Sequence, residues 1–134
     1  MPWTYAQSTG EMSQDGAVIG TGYSGNGAGL NNPDAQDQHG VGPAPQGSYT
    51  IGPAVNPPDR LGPLALPLIP DPGNTMFGRN AFFIHGDNAA QNHTASDGCI
   101  ILGRAIRQRV VTSNDTSLVV ISGVADGGDA RASC

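Results

Sequence analysis

The chain has 134 residues, a formal net charge of -5 and six basic residues, every one of them arginine. One domain is expected at this length, and nucleic acid is not expected as a partner, because phosphate binding needs basic clusters that displace counterions. With 20 Gly, 11 Pro and only 5% aromatic residues, the composition fits a loop-rich, strand-based globule better than a helical one.

Met1 to Gln7 carries neither a basic nor an apolar leader region, so no Sec-type signal peptide is expected there. Residues 1 to 60 read as short strands broken by turns, with Ala17-Val18-Ile19 and Gly20 to Ser24 ahead of a polar Gly/Asn-rich loop from Gly25 to Gly40. No Lys and no helix pattern follow these glycines, which argues against a phosphate-cradling loop. Gly42 to Ser48 is a proline-stiffened turn that leads into a strand carrying Tyr49 and Ile51. Pro53, Pro57, Pro58, Pro63, Pro67, Pro70 and Pro72 deny residues 53 to 73 a regular central strand, while Leu64, Leu66, Leu68 and Ile69 suit an edge strand.

Ala81-Phe82-Phe83-Ile84 is the strongest candidate for a buried strand and ends at His85. Beyond Cys99-Ile100-Ile101-Leu102, Arg104 to Thr112 predicts about two helical turns with Ala105, Ile106, Val110 and Val111 inward. Arg104, Arg107 and Arg109 then form either a solvated helix face or an anionic-substrate contact. Ser117 to Ser122 predicts a closing strand. No run reaches the roughly 20 apolar residues of a membrane span. A catalytic domain over 1–124 and a flexible tail over 125–134 are expected.

Two residues carry the chemistry. His85 and Cys99 each lie beside a glycine at the end of an apolar run, and an imidazole near a thiol favours the nucleophilic thiolate. Gly98 permits a tight turn and close approach of a substrate carbonyl, with the backbone N–H groups of Gly98 and Cys99 as oxyanion donors. The alternatives are an inert core cysteine, a strand-end histidine that ties down a loop, and Ser96, Asp97 and Asp87 as ordinary turn formers. A zinc site from His85, Asp87, His93 and Cys99 matches no compact ligand spacing, and neither a metal nor a cofactor is expected. His39 has no partner in sequence and reads as a surface residue. A disulfide between Cys99 and Cys134 and a free Cys134 both stay open.

Ile84-His85-Gly86 followed by Ser96-Asp97-Gly98-Cys99-Ile100 resembles the active-site signature of the L,D-transpeptidases of YkuD-like fold. Trp3-Thr4-Tyr5, Gly22-Tyr23-Ser24-Gly25, Asn31-Asn32-Pro33 and Gly42 to Tyr49 extend the similarity to the L,D-transpeptidase-related effectors of type VI secretion. Ile101 stands where the cell-wall enzymes typically carry Arg, a role that Arg104 or Arg79 would have to take over.

The resemblance implies a mainly β sandwich or barrel with one short helix after the catalytic cysteine. It implies peptidoglycan stem peptides, with meso-diaminopimelate and D-alanine, as substrate. Cys99 would be the nucleophile and His85 the general base, Ser96 would orient the loop or bind substrate, and Tyr23, Asn32, Asp87 and Arg104 would line the groove. It further implies a cytoplasmic origin, action in the periplasm of target bacteria, secretion-apparatus components as partners and a cognate immunity protein. A housekeeping cross-linking enzyme and a non-catalytic wall-binding module are the competing readings.

Overall fold

The computed structural model of the chain describes residues 2–55, 64–87, 96 and 98–123. The expectations for Pro57, Pro58, Pro63, His93, Asp97, Cys134 and the tail 125–134 lie outside the described residues. Alternating buried and half-exposed positions mark the first strand, β1 (Trp3–Ala6), and the same period of two recurs in β5 (Gly47–Ile51), β6 (Leu66–Pro70) and β9 (Ser117–Ile121). Between and after them lie β2 (Glu11–Gln14), β3 (Ala17–Thr21), β4 (Tyr23–Ser24), β7 (Phe82–His85) and β8 (Ile100–Ile101).

These nine strands make one sheet in the order β3-β2-β1-β9-β5-β6-β7-β8-β4. Its two edge strands, β3 and β4, are separated in sequence by Gly22 alone, so the sheet curls until it is nearly closed into a barrel. Gly22 is required at that join: a Cβ there would lie 1.7 Å from the Ile101 carbonyl oxygen. The β1–β9 and β7–β8 pairs are parallel and the others antiparallel.

The barrel interior is filled by Trp3, Tyr5, Met12, Tyr49, Leu66, Phe82, Ile84, Ile100, Leu118 and Val120, all buried. Trp3 reaches the single α-helix of the described residues, α1 (Arg104–Ser113), by donating Nε1–H to Ser113 Oγ at 3.1 Å. Asn114, left-handed at φ 58°, ends that helix. The Tyr5 hydroxyl is buried with no hydrogen-bond partner, and burial pushes its pKa up.

Two sequence expectations are corrected. Residues 66–70 form a central strand, not an edge, because the prolines fall where the neighbouring ladders stop. The Pro67 carbonyl accepts from Gly52 N–H at 2.8 Å, so the donor that Pro67 lacks faces Gly52, one residue past the end of β5. Pro70 lies beyond Leu68, the last β6 residue paired with β7. The inward face of α1 also differs: Val110 and Arg107 are buried and Ile106 is half-buried, whereas Ala105 and Val111 are exposed. Arg107 therefore does not belong to a solvated face.

Candidate active site

Strands β7 and β8 bring the histidine and cysteine segments side by side, with Ile84 opposite Ile100 and His85 opposite Ile101. Ile84 and Ile100 turn into the core, so alternation puts Phe83, His85, Cys99 and Ile101 on the other face. Tyr23 of β4 pairs with Ile101 and shares that face. Cys99 thus lies on the neighbouring strand, level with Phe83 and two residues short of His85. Diagonal neighbours of this kind, two residues apart on adjacent strands, are about 7–8 Å apart at the backbone.

The surroundings of each group suit proton transfer and a sulfur anion. His85 is buried, and its Nδ1 lies 2.8 Å from the Gly86 carbonyl oxygen. A carbonyl only accepts, so Nδ1 carries the proton and Nε2 is the basic nitrogen of the neutral ring. The half-buried Cys99 Sγ accepts from Phe83 N–H at 3.3 Å and lies 3.9 Å from the Ala81 carbonyl oxygen. Ala81 holds a left-handed φ of 63°, unusual for a residue with a side chain.

The cysteine turn is fastened to the chain's first third. Ser96, fully buried, donates Oγ–H to the Cys99 carbonyl and accepts from Gly25 N–H at 2.9 Å and Gly98 N–H at 3.0 Å. Ser24 Oγ donates to the Gly98 carbonyl and accepts from Ala44 N–H, both at 2.9 Å. Asn26 Nδ2 donates to the Ser96 carbonyl at 2.8 Å. The Ser24-Gly25-Asn26 run therefore supports the Cys99 turn. Of the two amides expected to serve an oxyanion, that of Gly98 is already committed to Ser96.

Two buried arginines flank the pair. Arg79 donates from Nη1 to the carbonyls of Gln36 (2.6 Å) and Pro43 (2.8 Å) and from Nη2 to that of Gly42 (2.9 Å). Its guanidinium lies 5.1 Å from the Phe82 ring centre, and Arg79 Nη2 would be 2.3 Å from a Cβ on Gly98. Burial lowers the Arg79 pKa, while Tyr49, Asp37 and Cys99 act in the opposite sense. Arg107 donates to the carbonyls of Leu102 and Leu64, each at 3.0 Å, and lies against Gly86. Burial lowers its pKa too, with a further push from Arg104.

The remaining expected residues are spread out. Tyr23 donates to Asp87 Oδ1 at 2.7 Å, and both line a cleft of about 360 Å³ with Thr21, Gly22, Ile101, Leu102 and Gly103. Asn32 serves its own loop: its Oδ1 accepts from Asp34 N–H and its Nδ2 donates to the Ala28 carbonyl, each at 3.1 Å. Arg104 opens α1 with an exposed side chain, and it is Arg107, nearly one turn on, that reaches the histidine side. His39 is exposed, with Nε2 2.7 Å from the Phe77 carbonyl, and so pins the turn that leads to Arg79. Among the described residues no group of three or more His, Cys, Asp or Glu could hold a metal, and no helix is long and apolar enough to cross a membrane.

The structure brings the expected His85 and Cys99 onto neighbouring strands and ties the expected Ser96 to the Cys99 carbonyl, whereas Arg107 is buried and not part of a solvated face, and Ser24 and Asn26 were not expected as supports. Ser24 lies in the Gly22-Tyr23-Ser24-Gly25 block and Asn26 directly follows it. The family model described as the Tlde1 domain matches residues 19–124. No curated protein and no solved structure matches the chain.

Proposed function

The chain belongs to the Tlde1 domain family, a family of L,D-transpeptidase-like type VI secretion effectors, and from that premise we propose a cysteine L,D-carboxypeptidase with D-amino-acid exchange activity. Its substrate is the tetrapeptide stem of peptidoglycan, reached in the periplasm of a target bacterium, and its fold is YkuD-like. The observation that carries this reading is the Nδ1–H···O=C bond from His85 to Gly86 at 2.8 Å, which leaves Nε2 as the base on the face shared with Cys99.

In the first half-reaction His85 Nε2 takes the Cys99 thiol proton, and the sulfur attacks the carbonyl on the L-centre of meso-diaminopimelate. The tetrahedral oxyanion is stabilised by backbone donors, each typically worth about 3 kcal/mol, and the Cys99 amide takes that role. The bond to the terminal D-alanine nitrogen breaks as His85 returns its proton to the leaving amine, and a thioester remains on Cys99. Water then gives a tripeptide stem and free enzyme, and a D-amino acid gives the exchanged tetrapeptide.

Ser96 acts through the turn it holds. Tyr23 and Asp87 line the substrate cleft, and the carboxylate of Asp87 suits an ammonium group such as the one on the D-centre of diaminopimelate. Asn32 and Arg104 are not needed by this mechanism. An immunity protein in the producing cell follows from the effector role.

The test is to incubate the purified protein with disaccharide tetrapeptide, with and without an added D-amino acid, and read product masses. Wild type is expected to release D-alanine and to incorporate the added amino acid, and His85→Ala to do neither. Unchanged substrate with folded wild type would remove the reading in favour of a binding module.

A further inference from the structure

We infer that Arg79 is a positioning residue of the nucleophile, a buried cation that seats the Gly98–Cys99 turn and holds negative charge on the Cys99 sulfur. The inference rests on Cys99 being the reactive group of the proposed function. Arg79 comes from the turn before β7, nineteen residues ahead of Gly98, and three observations bear on its place there.

The first is the carbonyl cage. Gln36, Gly42 and Pro43 each give a backbone oxygen to the guanidinium, so it is held in place without consuming its charge, as a paired carboxylate would. The second is Gly98. A Cβ there would lie 2.3 Å from Arg79 Nη2 and 2.8 Å from the Phe82 ring, and Gly98 has φ 134°. The missing side chain of Gly98 therefore makes room for the guanidinium. The third is electrostatic: a charged Cys99 acts on Arg79 in the sense that keeps the guanidinium protonated, and the attraction is mutual. Around the thiol lie Phe83 N–H and the Ala81 carbonyl, and His85 stands two residues on along β7. Beyond Arg79 stand Tyr49 on β5 and Asp37 in the loop after Gln36, and Asp87 is bonded to Tyr23 further along the same face.

A cation beside a thiol favours the thiolate, and one such charge typically moves a pKa by about one to three units. The test is the pH dependence of Cys99 alkylation by iodoacetamide in the full chain, with Cys134→Ser in every variant so that one thiol reports. His85→Ala removes the imidazole and leaves the guanidinium cage intact. Its thiol is expected to titrate at least one unit below the ordinary value of about 8.5, and Arg79→Gln in that background is expected to return it to that value. Arg79→Lys keeps the charge and is expected to fall between.

A His85→Ala thiol that titrates at the ordinary value would overturn the inference whether or not Arg79→Gln folds. So would a folded Arg79→Gln protein whose profile coincides with that of its parent. Because alkylation needs no peptidoglycan, failure of the proposed function leaves this result readable: a lowered thiol pKa with no stem-peptide turnover would refute the enzyme and retain the Arg79 role.

Discussion

Gly98 beside Cys99 and Gly86 beside His85 both lie against a buried guanidinium, yet the two couples differ in how much they can yield. At Gly98 the backbone is left-handed, and a Cβ would meet Arg79 Nη2 at 2.3 Å and the Phe82 ring at 2.8 Å. Arg79 cannot retreat easily, because three carbonyls hold it. At Gly86 no positive φ applies, and the nearest atom is the tip of Arg107 at 2.8 Å. The cysteine side abuts a guanidinium held by three carbonyls, and the histidine side abuts one held through Nε and Nη1 by two, with Nη2 towards Gly86. A thiolate needs a defined seat for attack, whereas an imidazole needs only its tautomer and its reach.

Four substitutions break or sharpen that contrast. Gly98→Ala should cost about 3 kcal/mol or more, since strain and overlap add, and is checked by chemical denaturation. Ser96→Ala should cost about 2–3 kcal/mol, because the Gly25 and Gly98 amides lose a buried acceptor, and Cys99 alkylation should lose its sharp pH dependence as the turn loosens. Gly86→Ala should cost about 1 kcal/mol as Arg107 shifts its tip, and should lower kcat for stem-peptide trimming more than it raises KM. A larger loss of stability at Gly86 than at Gly98 would reverse the comparison. Tyr5→Phe, remote from both sides, should leave activity unchanged and raise stability by up to about 1 kcal/mol, since it deletes an unpaired buried hydroxyl; a fall in Tm would show that the hydroxyl is satisfied.

The strand that ends at His85 was legible because Phe82 to Ile84 is a short apolar run before a glycine turn, whereas Ile100 to Leu102 showed only as an apolar run, and its parallel pairing with β7 has no sequence signal beyond burial. The helix was legible in extent but not in facing, because Arg107 buries its charge on backbone carbonyls that no sequence pattern displays. Strand β6 was hidden by Pro67 and Pro70, whose effect depends on where the neighbouring strands end. The same limit applies to the Cys99 turn. Its supports are the carbonyls of Gln36, Gly42 and Pro43 and the hydroxyls of Ser24 and Ser96, groups that sequence composition supplies almost everywhere and only the fold selects. Asn32 shows the converse, a motif residue whose side chain is occupied in its own turn.

The central claim is that Cys99 carries the acyl group. Mixing the full chain with disaccharide tetrapeptide, quenching in acid and mapping the peptides by mass tests it most directly. The account predicts a disaccharide-tripeptide adduct on the Cys99 peptide, removable by hydroxylamine, and no D-alanine release by Cys99→Ala. Continued release of D-alanine by Cys99→Ala, with no adduct on the wild-type Cys99 peptide, would contradict it.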